Sequence, residues 1–191
     1  MRMKRRLALW AALLALAGGK ADARVYLTVQ QALDAVFPQP MKVERRTLYL
    51  NEAQARRAAE AAGVPVEGRV IPYYVGSRDR RGTGFAYFDT HLVRTLPETI
   101  LVFLAPDGEL ARLEIVSFDE PEDYLPSSRW LQQFPGRGLE DLGPRQGIRA
   151  LTGATLSARA VTQAARRILA LHRLFVAAPA GAPGGAQGPP P

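Results

Sequence analysis

The sequence predicts an α+β fold, in which an antiparallel sheet from consecutive hairpins is covered by helices and the last helix is long. Two pairs of apolar runs flank short turns, and Asp107-Gly108 in the second turn is a strong hairpin signal. Apolar residues recur at helical spacing near both ends of the chain, in residues 28–37 and 155–175. Because hairpins join neighbouring antiparallel strands, these signals together predict one sheet with helices packed on it.

Three elements are expected before the hairpins, and both helices among them have capping residues. They are a helix at residues 28–37, a strand at residues 42–50 and a helix at residues 51–62. Thr28 and Asn51 stand where an N-cap side chain accepts a backbone N–H group, and Gly63 can close the second helix. The strand places three side chains on one face, namely Val43, Thr47 and Tyr49.

The two hairpins occupy the middle of the chain. Their predicted strands are residues 70–75 with 84–91, and residues 99–104 with 110–118. Three segments follow, an acidic loop at residues 119–126, a short helix at 127–134 and a glycine-rich loop at 135–147. Prolines bound the acidic loop, which therefore should not continue the strand before it.

The last helix should pack one face on the sheet. Its apolar stripe consists of Leu156, Ala160, Val161, Ala164, Ile168, Leu171 and Phe175. The other side carries Arg159, Gln163, Arg166, Arg167 and Arg173. Apolar residues at this three- and four-residue spacing are typical of a helix that is buried along one face.

The two ends of the chain should lie outside the folded domain. Residues 1–23 combine a basic start, an apolar run and a small-residue pattern at Ala21-Asp22-Ala23, which is the layout of a secretory signal peptide. We therefore expect an exported, periplasmic or extracytoplasmic protein, which is either cleaved after Ala23 or membrane-anchored by an uncleaved signal segment. Residues 177–191 contain only Ala, Pro, Gly and one Gln, a composition that predicts a disordered tail.

The composition excludes several classes of function. The chain has no cysteine, so disulfides, thiolate catalysis and cysteine-bound metal centres are excluded. Residues 1–23 hold five bases and one acid, so most of the net charge of +7 leaves with the signal and the remainder carries +3. That charge, without aromatics between basic clusters, argues against a nucleic-acid partner. The histidines are far apart in sequence, and the pattern predicts no metal site.

The residues richest in chemistry are Thr152-Gly153-Ala154-Thr155-Leu156-Ser157, where a loop becomes the last helix. The first turn of a helix has N–H groups without an intrahelical partner and carries the positive end of the helix dipole, so it can hold a phosphate. Gly153 lets the backbone approach a phosphate closely, and Ala154 keeps the approach narrow. The simpler alternative is that Thr152 or Thr155 only caps the helix.

Thr152-Gly153-Ala154-Thr155 resembles the flavinylation motif of the FMN-binding domain family, which includes the C subunit of the sodium-pumping NADH:quinone reductase and the G subunit of the Rnf complex. The resemblance implies that FMN is attached through a phosphoester to Thr155, and that a flavin transferase makes this bond from FAD. Further segments are similar to the family in the same order, namely Gly84-Phe85-Ala86-Tyr87, Pro106-Asp107-Gly108, Trp130 and Phe134-Pro135-Gly136.

The chain departs from the family pattern at two places. Arg149 stands three residues before Thr152, where the family has an aspartate that helps the transferase. The loop that usually reads Glu-Thr-Pro-Gly is here Glu120-Pro121-Glu122-Asp123, so Glu120 is expected to be a flavin-site residue in a changed loop. Trp130 either stacks on the flavin or packs in the core. His91 could face the flavin or a redox partner, although a surface histidine or one with internal partners is the simpler interpretation.

The sequence thus predicts a carrier more than a stand-alone enzyme. Residues 24–69 would form a helix–strand–helix part and residues 70–176 the FMN-binding core. Cofactor-binding residues would be Thr152, Gly153, Ala154, Thr155, Leu156, Ser157, Glu120 and Trp130, with no catalytic acid or base. The expected partners are the flavin transferase and membrane or periplasmic redox proteins. Two alternatives stay open: a flavin-dependent small-molecule reductase, and a binding or scaffold module of the same fold without attached flavin.

Overall fold

The fold is α+β, as the sequence predicts, with an antiparallel sheet from consecutive hairpins. A computed structural model describes residues 24–78, 81–143 and 147–177. Its strands are β1 Arg24–Val25, β2 Lys42–Tyr49, β3 Val70–Arg78, β4 Arg81–Leu92, β5 Pro97–Leu104 and β6 Leu110–Phe118. They form one sheet in the order β1-β6-β5-β4-β3-β2, and every neighbouring pair is antiparallel.

Both predicted hairpins are confirmed, and the strands of the first are longer than predicted. The β5–β6 turn contains Gly108 at φ +88°, in the left-handed region that glycine tolerates. Gly84 is required for a steric reason. A Cβ there would lie 2.6 Å from the Phe103 ring and 2.7 Å from the Leu104 carbonyl oxygen. The neighbouring strand therefore approaches β4 closely at this point.

The helices are α1 Val29–Val36, α2 Glu52–Ala62, α3 Ser128–Leu131 and α4 Thr155–Leu171, and α4 continues into a π-helical turn at His172–Val176. The predicted caps are confirmed: Thr28 and Asn51 each form a capping box, and Gly63 closes α2 in the left-handed conformation. Short 3₁₀ turns lie in the two predicted loops, at Glu122–Tyr124 and Glu140–Leu142. None of the helices within the described residues is long and apolar enough to cross a membrane.

The sheet has an apolar core on each face. One core joins α1 to Ala86, Leu101 and Val116. The larger core lies on the opposite face, where α2, α4 and the Trp130–Phe134 segment cover Tyr87 and Ile100. Because side chains alternate across a strand, β4 and β5 contribute to both cores.

The predicted burial of Leu156 is wrong, since this side chain is 49% exposed. Ser157 and Ala158 are buried in its place, and the rest of the buried stripe runs through Val161, Ala164 and Ile168 as predicted. One residue along a helix turns the side chain by about 100°. The helix face that meets the sheet includes Ser157 and Ala158, so Leu156 points away from the core.

One end of the sheet brings distant segments together. The β4–β5 turn (residues 93–96), the loop after β6 and the start of α4 all lie there. Asp119 N donates to Pro97 O at 3.1 Å, which ties the loop to the beginning of β5. The predicted signal peptide, residues 1–23, and the predicted tail from residue 178 onward lie outside the described residues.

Candidate functional site

The start of α4 leaves backbone donors available for a ligand. Ala154 is the N-cap, and its methyl side chain cannot accept a hydrogen bond. The first hydrogen bond of the helix runs from Ala158 N to Ala154 O at 2.9 Å. The N–H groups of Thr155, Leu156 and Ser157 therefore have no intrahelical acceptor, and the helix dipole adds positive potential at this point.

The buried hydroxyl of Ser157 is a second, independent indication that the start of α4 has polar groups available for a ligand. Ser157 is only 1% exposed, and its Oγ has no hydrogen-bond partner among the described residues. A buried polar atom without a partner costs about 1–3 kcal/mol, so native structures contain few of them. Three other buried atoms of the described residues also lack a partner, namely Glu98 Oε1, Glu114 Oε2 and His172 Nε2, and Ser157 is the one of the four in the first turn of an α-helix.

A small cavity lies directly at this helix start, and we call it the helix-start pocket. Its volume is about 160 Å³, and its lining consists of Arg94, Tyr124, Gly153, Ala154, Thr155, Leu156 and Ser157. Gly153 has φ +87°, which other residues adopt only under strain, and a Cβ added there would meet no heavy atom within 4 Å. Gly153 therefore serves the backbone conformation and leaves the pocket open.

Arg94 gives the helix-start pocket a full positive charge. Its guanidinium carbon lies 4.8 Å from the centroid of the Tyr124 ring, a cation–π geometry that fixes the side chain. Within the described part of the chain, Arg94 forms no ion pair with a carboxylate. The pocket thus combines an arginine, a helix N-terminus and a buried hydroxyl, a set of groups that favours a phosphate.

Sequence reasoning missed Arg94 and Tyr124. They lie 61 and 31 residues before Thr155, and each looks like an ordinary turn residue in the sequence. Only the fold, which places the β4–β5 turn and the loop after β6 beside α4, brings them together. The Tyr124 ring beside a basic residue gives no local pattern that could have been read in advance.

Glu120, predicted to be a flavin-site residue, lies beside the helix-start pocket rather than in its lining. Its Oε1 accepts hydrogen bonds from Thr95 N at 2.8 Å and Leu96 N at 3.0 Å. These backbone N–H groups, Thr95 first, lower the pKa of Glu120. The carboxylate therefore holds the turn that carries Arg94.

Thr155 lies at the junction of two cavities. Its Oγ1 donates to Leu151 O at 3.2 Å, the residue is exposed, and it lines both the helix-start pocket and a larger cleft. Thr152 is also exposed but lines neither cavity. The hydroxyl of Thr155 can be esterified with the loss of one exposed hydrogen bond, worth about 1 kcal/mol.

The larger cleft has a volume of about 460 Å³. Trp130 lies in its wall but is only 5% exposed, packed edge to face on Phe134 with ring centroids 5.2 Å apart. The indole Nε1 donates to Arg149 O at 2.7 Å, and Arg149 N donates to the side chain of Gln133 at 2.9 Å. Trp130 therefore packs in the core and also fixes the segment that forms the rim of the cleft.

A second polar cluster lies under the β4–β5 turn, and we call it the ion cluster: Asp89, His91, Glu98 and Arg167. His91 bonds Asp89 Oδ1 through Nδ1 at 2.9 Å and Glu98 Oε2 through Nε2 at 3.0 Å. Arg167 from α4 donates to both Asp89 oxygens, at 2.7 and 2.9 Å. Burial opposes a charge on His91, but the two carboxylates raise its pKa to about 9.

The two acids of the ion cluster shift in opposite directions. Burial raises the pKa of Glu98, which is completely buried. Burial also acts on Asp89, but its hydrogen bonds to His91 and Arg167 outweigh this effect and lower the pKa of Asp89. His91 thus has the internal partners that its simpler interpretation requires, although the sequence does not identify them.

The described lining of the helix-start pocket contains one arginine and no carboxylate. In the described part of the chain, no group of three or more His, Asp or Glu residues has an arrangement that could hold a metal ion. A scan against models of protein families finds no match for this chain. A search of curated proteins finds no match either.

Proposed function

We propose that this chain is an exported flavoprotein that carries FMN on Thr155 and transfers electrons between membrane or periplasmic redox proteins. The observation that carries the proposal is the helix-start pocket beside the Thr155 hydroxyl. An FMN phosphate on Thr155 would meet the free N–H groups, the Ser157 hydroxyl and the Arg94 guanidinium. When bound, the flavin supplies the redox chemistry, and the protein positions it and adjusts its potential.

The unpartnered Ser157 hydroxyl supports a phosphate more than it supports a helix cap. The cap alternative requires a Thr side chain at the N-cap, but the N-cap is Ala154. The Thr155 hydroxyl instead faces the carbonyl of the preceding turn, at Leu151. A covalent bond also suits an exported protein, because a flavin held without one is diluted and lost once it dissociates.

Attachment can be tested by co-expressing and exporting the chain with a flavin transferase. The transferase would break the pyrophosphate bond of FAD, join the FMN phosphorus to Thr155 Oγ1 and release AMP. We expect in-gel flavin fluorescence after denaturation, and its complete loss in Thr155→Ala. The matched control is Thr90→Ala, an exposed threonine on β4 that lines neither cavity, which should keep the label. Fluorescence that survives Thr155→Ala would contradict the assignment of the site.

Arg149 motivates a second candidate, a scaffold module that keeps the fold without flavin. It occupies the position where the family resemblance expects an acid that assists the transferase. An unlabelled native chain together with a labelled Arg149→Asp variant would support this candidate. A label on the native chain would exclude it.

The cleft next to Thr155 motivates the third candidate, a flavin-dependent reductase of small molecules. A cleft of about 460 Å³ falls in the range of small-molecule sites. Reduction of a small molecule at many turnovers per flavin, with a chemical electron donor supplied in excess and no reaction in the unlabelled chain, would favour the reductase. Single-turnover exchange with redox proteins alone would favour the carrier.

A further inference from the structure

The cleft beside Thr155 has an apolar floor and a cationic rim, and we call it the arginine cleft. Its floor includes Val64, Leu142, Ile148, Leu151 and Ala158. Its arginines are Arg149, Arg159 and Arg166, and its lining within the described residues contains no acid. A cleft of this kind favours a flat apolar ring that carries a negative charge.

The three arginines are not equivalent. Arg166 donates to Ala62 O at 2.7 Å and to Leu139 O at 3.4 Å, so it connects α4 to α2 and to the loop before Leu142. Arg149 and Arg159 are exposed and form no ion pair with a carboxylate in the described ranges. Their charges are therefore available to a molecule in the cleft.

The position of Thr155 links the arginine cleft to the helix-start pocket. The smaller cavity, of about 160 Å³, suits a phosphate, whereas the larger suits a ring system. Thr155 lines both, so a molecule with its phosphate on Thr155 can place its phosphate in one cavity and its ring in the other.

We infer that the arginine cleft holds the isoalloxazine ring of the flavin, and that Arg149 and Arg159 stabilise its reduced form, an inference that rests on the proposed function. Two electrons from a redox protein and one proton from solvent turn the neutral oxidised ring into an anion. Positive charges beside the ring favour that anion over the neutral form and raise the midpoint potential. Arg149, which departs from the family pattern, then has a role as a determinant of potential.

The first test uses the unlabelled, exported chain and lumiflavin, which has the flavin ring but neither phosphate nor ribityl chain. We expect saturable quenching of lumiflavin fluorescence by the native chain. Ala150→Trp, at an exposed position in the cleft lining, should weaken the binding at least tenfold. Ala53→Trp, at an exposed position on α2 outside the described cavities, is the matched control and should leave it unchanged. Equal binding by both variants, or no saturation, would overturn the placement of the ring.

The second test measures the midpoint potential of the labelled chain. Arg149→Gln and Arg159→Gln should each reduce the preference for the reduced ring by roughly two- to fivefold, as for exposed charge pairs. Because tenfold corresponds to about 30 mV for a two-electron couple, each potential should fall by about 10–20 mV. The shift should shrink in high salt, since both side chains are exposed.

Arg173→Gln is the control for the potential, because it removes the same charge from the same helical segment outside the cleft. Arg173 pairs with Glu140 at the surface. Equal potentials for Arg173→Gln and the two cleft variants would overturn the role of the arginines. A chain that takes no covalent label contradicts the proposed function, while the lumiflavin titration still decides whether a flavin ring occupies the cleft.

Discussion

The helix-start pocket and the ion cluster lie at the same end of the sheet, yet their polar groups are used in opposite ways. In the ion cluster, both nitrogens of His91 and both oxygens of Asp89 have partners, and Glu98 Oε1 is the one carboxylate oxygen without a described partner. In the helix-start pocket, the Ser157 hydroxyl is buried without a described partner. This end of the sheet thus contains one polar cluster in which almost every atom has a hydrogen-bond partner and one in which several donors have none within the described residues.

This difference separates a structural role from a binding role. A buried network whose members bond each other stabilises one arrangement of the chain, and it offers few atoms to a ligand. An open set of donors costs stability and is kept where a ligand completes it. Removing a member of the ion cluster should therefore affect folding, whereas changes in the helix-start pocket should affect binding.

The largest expected effect is that of Asp89→Asn. This change leaves Arg167 and His91 partly uncompensated in a buried site, so the free energy of unfolding should fall by about 3–5 kcal/mol. Urea denaturation measures it, with the exposed change Asp34→Asn as a control that should cost less than about 0.5 kcal/mol. Folded Asp89→Asn protein should still accept flavin on Thr155, and loss of the label in that folded protein would undo the separation of roles.

The second largest effect should be the pH dependence of stability that the ion cluster causes through His91. The pKa of His91 is raised to about 9 in the folded protein, so its contribution is complete below pH 6.5 and is lost as the pH rises through 9. We expect a loss on the order of 3 kcal/mol over this window, measured by urea titrations at several pH values. His91→Gln should flatten this alkaline limb.

A second histidine, His172, should change the stability at acidic pH, and it provides an internal control. Burial lowers the pKa of His172 to about 4, so stability should fall as the pH drops from 6.5 towards 4. Tyr87 bonds His172 Nδ1 at 2.8 Å, and His172→Gln should reduce the acidic slope only. An alkaline limb that also changes in His172→Gln would show that the two histidines do not titrate independently.

Glu120→Gln should have a moderate effect both on stability and on the labelling of Thr155. The amide keeps one oxygen for the Thr95 and Leu96 N–H groups but loses the charge, so stability should fall by about 1 kcal/mol. Because Glu120 holds the turn that carries Arg94, labelling of Thr155 should slow as well. The exposed change Glu109→Gln should do neither, and unchanged labelling in Glu120→Gln would mean that the turn does not position Arg94.

Ser157→Ala should have the smallest effect on stability and the clearest effect on phosphate binding. Removing a buried hydroxyl without a partner should leave the unlabelled protein unchanged or stabilise it by up to about 1 kcal/mol. Inorganic phosphate, compared with chloride at equal ionic strength, should raise the melting temperature of the native protein more than that of the variant. Ser128→Ala is the control, and an equal phosphate effect in all three proteins would remove Ser157 from the site.

The sequence predicts those parts of the molecule that depend on neighbouring residues. The caps at Thr28 and Asn51 and the Asp107-Gly108 turn are local, and the structure confirms them. Arg167 and Asp89 are 78 residues apart, and their pairing depends on how α4 crosses β4. Leu156 was misplaced because an apolar pattern gives the helix face only to within about one residue.

The residues of the candidate site also fall into two groups, those that a local motif identifies and those that only the fold brings together. Gly153 and Thr155 belong to one short motif, so the sequence alone singles them out. Arg94 reaches the pocket only through the β4–β5 turn, and Glu120 acts on that turn rather than on the pocket directly. Contacts of this kind require the whole sheet and leave no pattern in adjacent residues.

The order of strands in the sheet has a consequence for how the chain folds. From β2 to β6 each strand pairs with the next one along the chain, so the sheet can grow in the order in which the residues are synthesised. Two features must wait for distant partners: β1, which pairs with β6, and the helix-start pocket, which needs α4. Modification of Thr155 by an enzyme that requires this pocket would therefore mark chains that have finished folding.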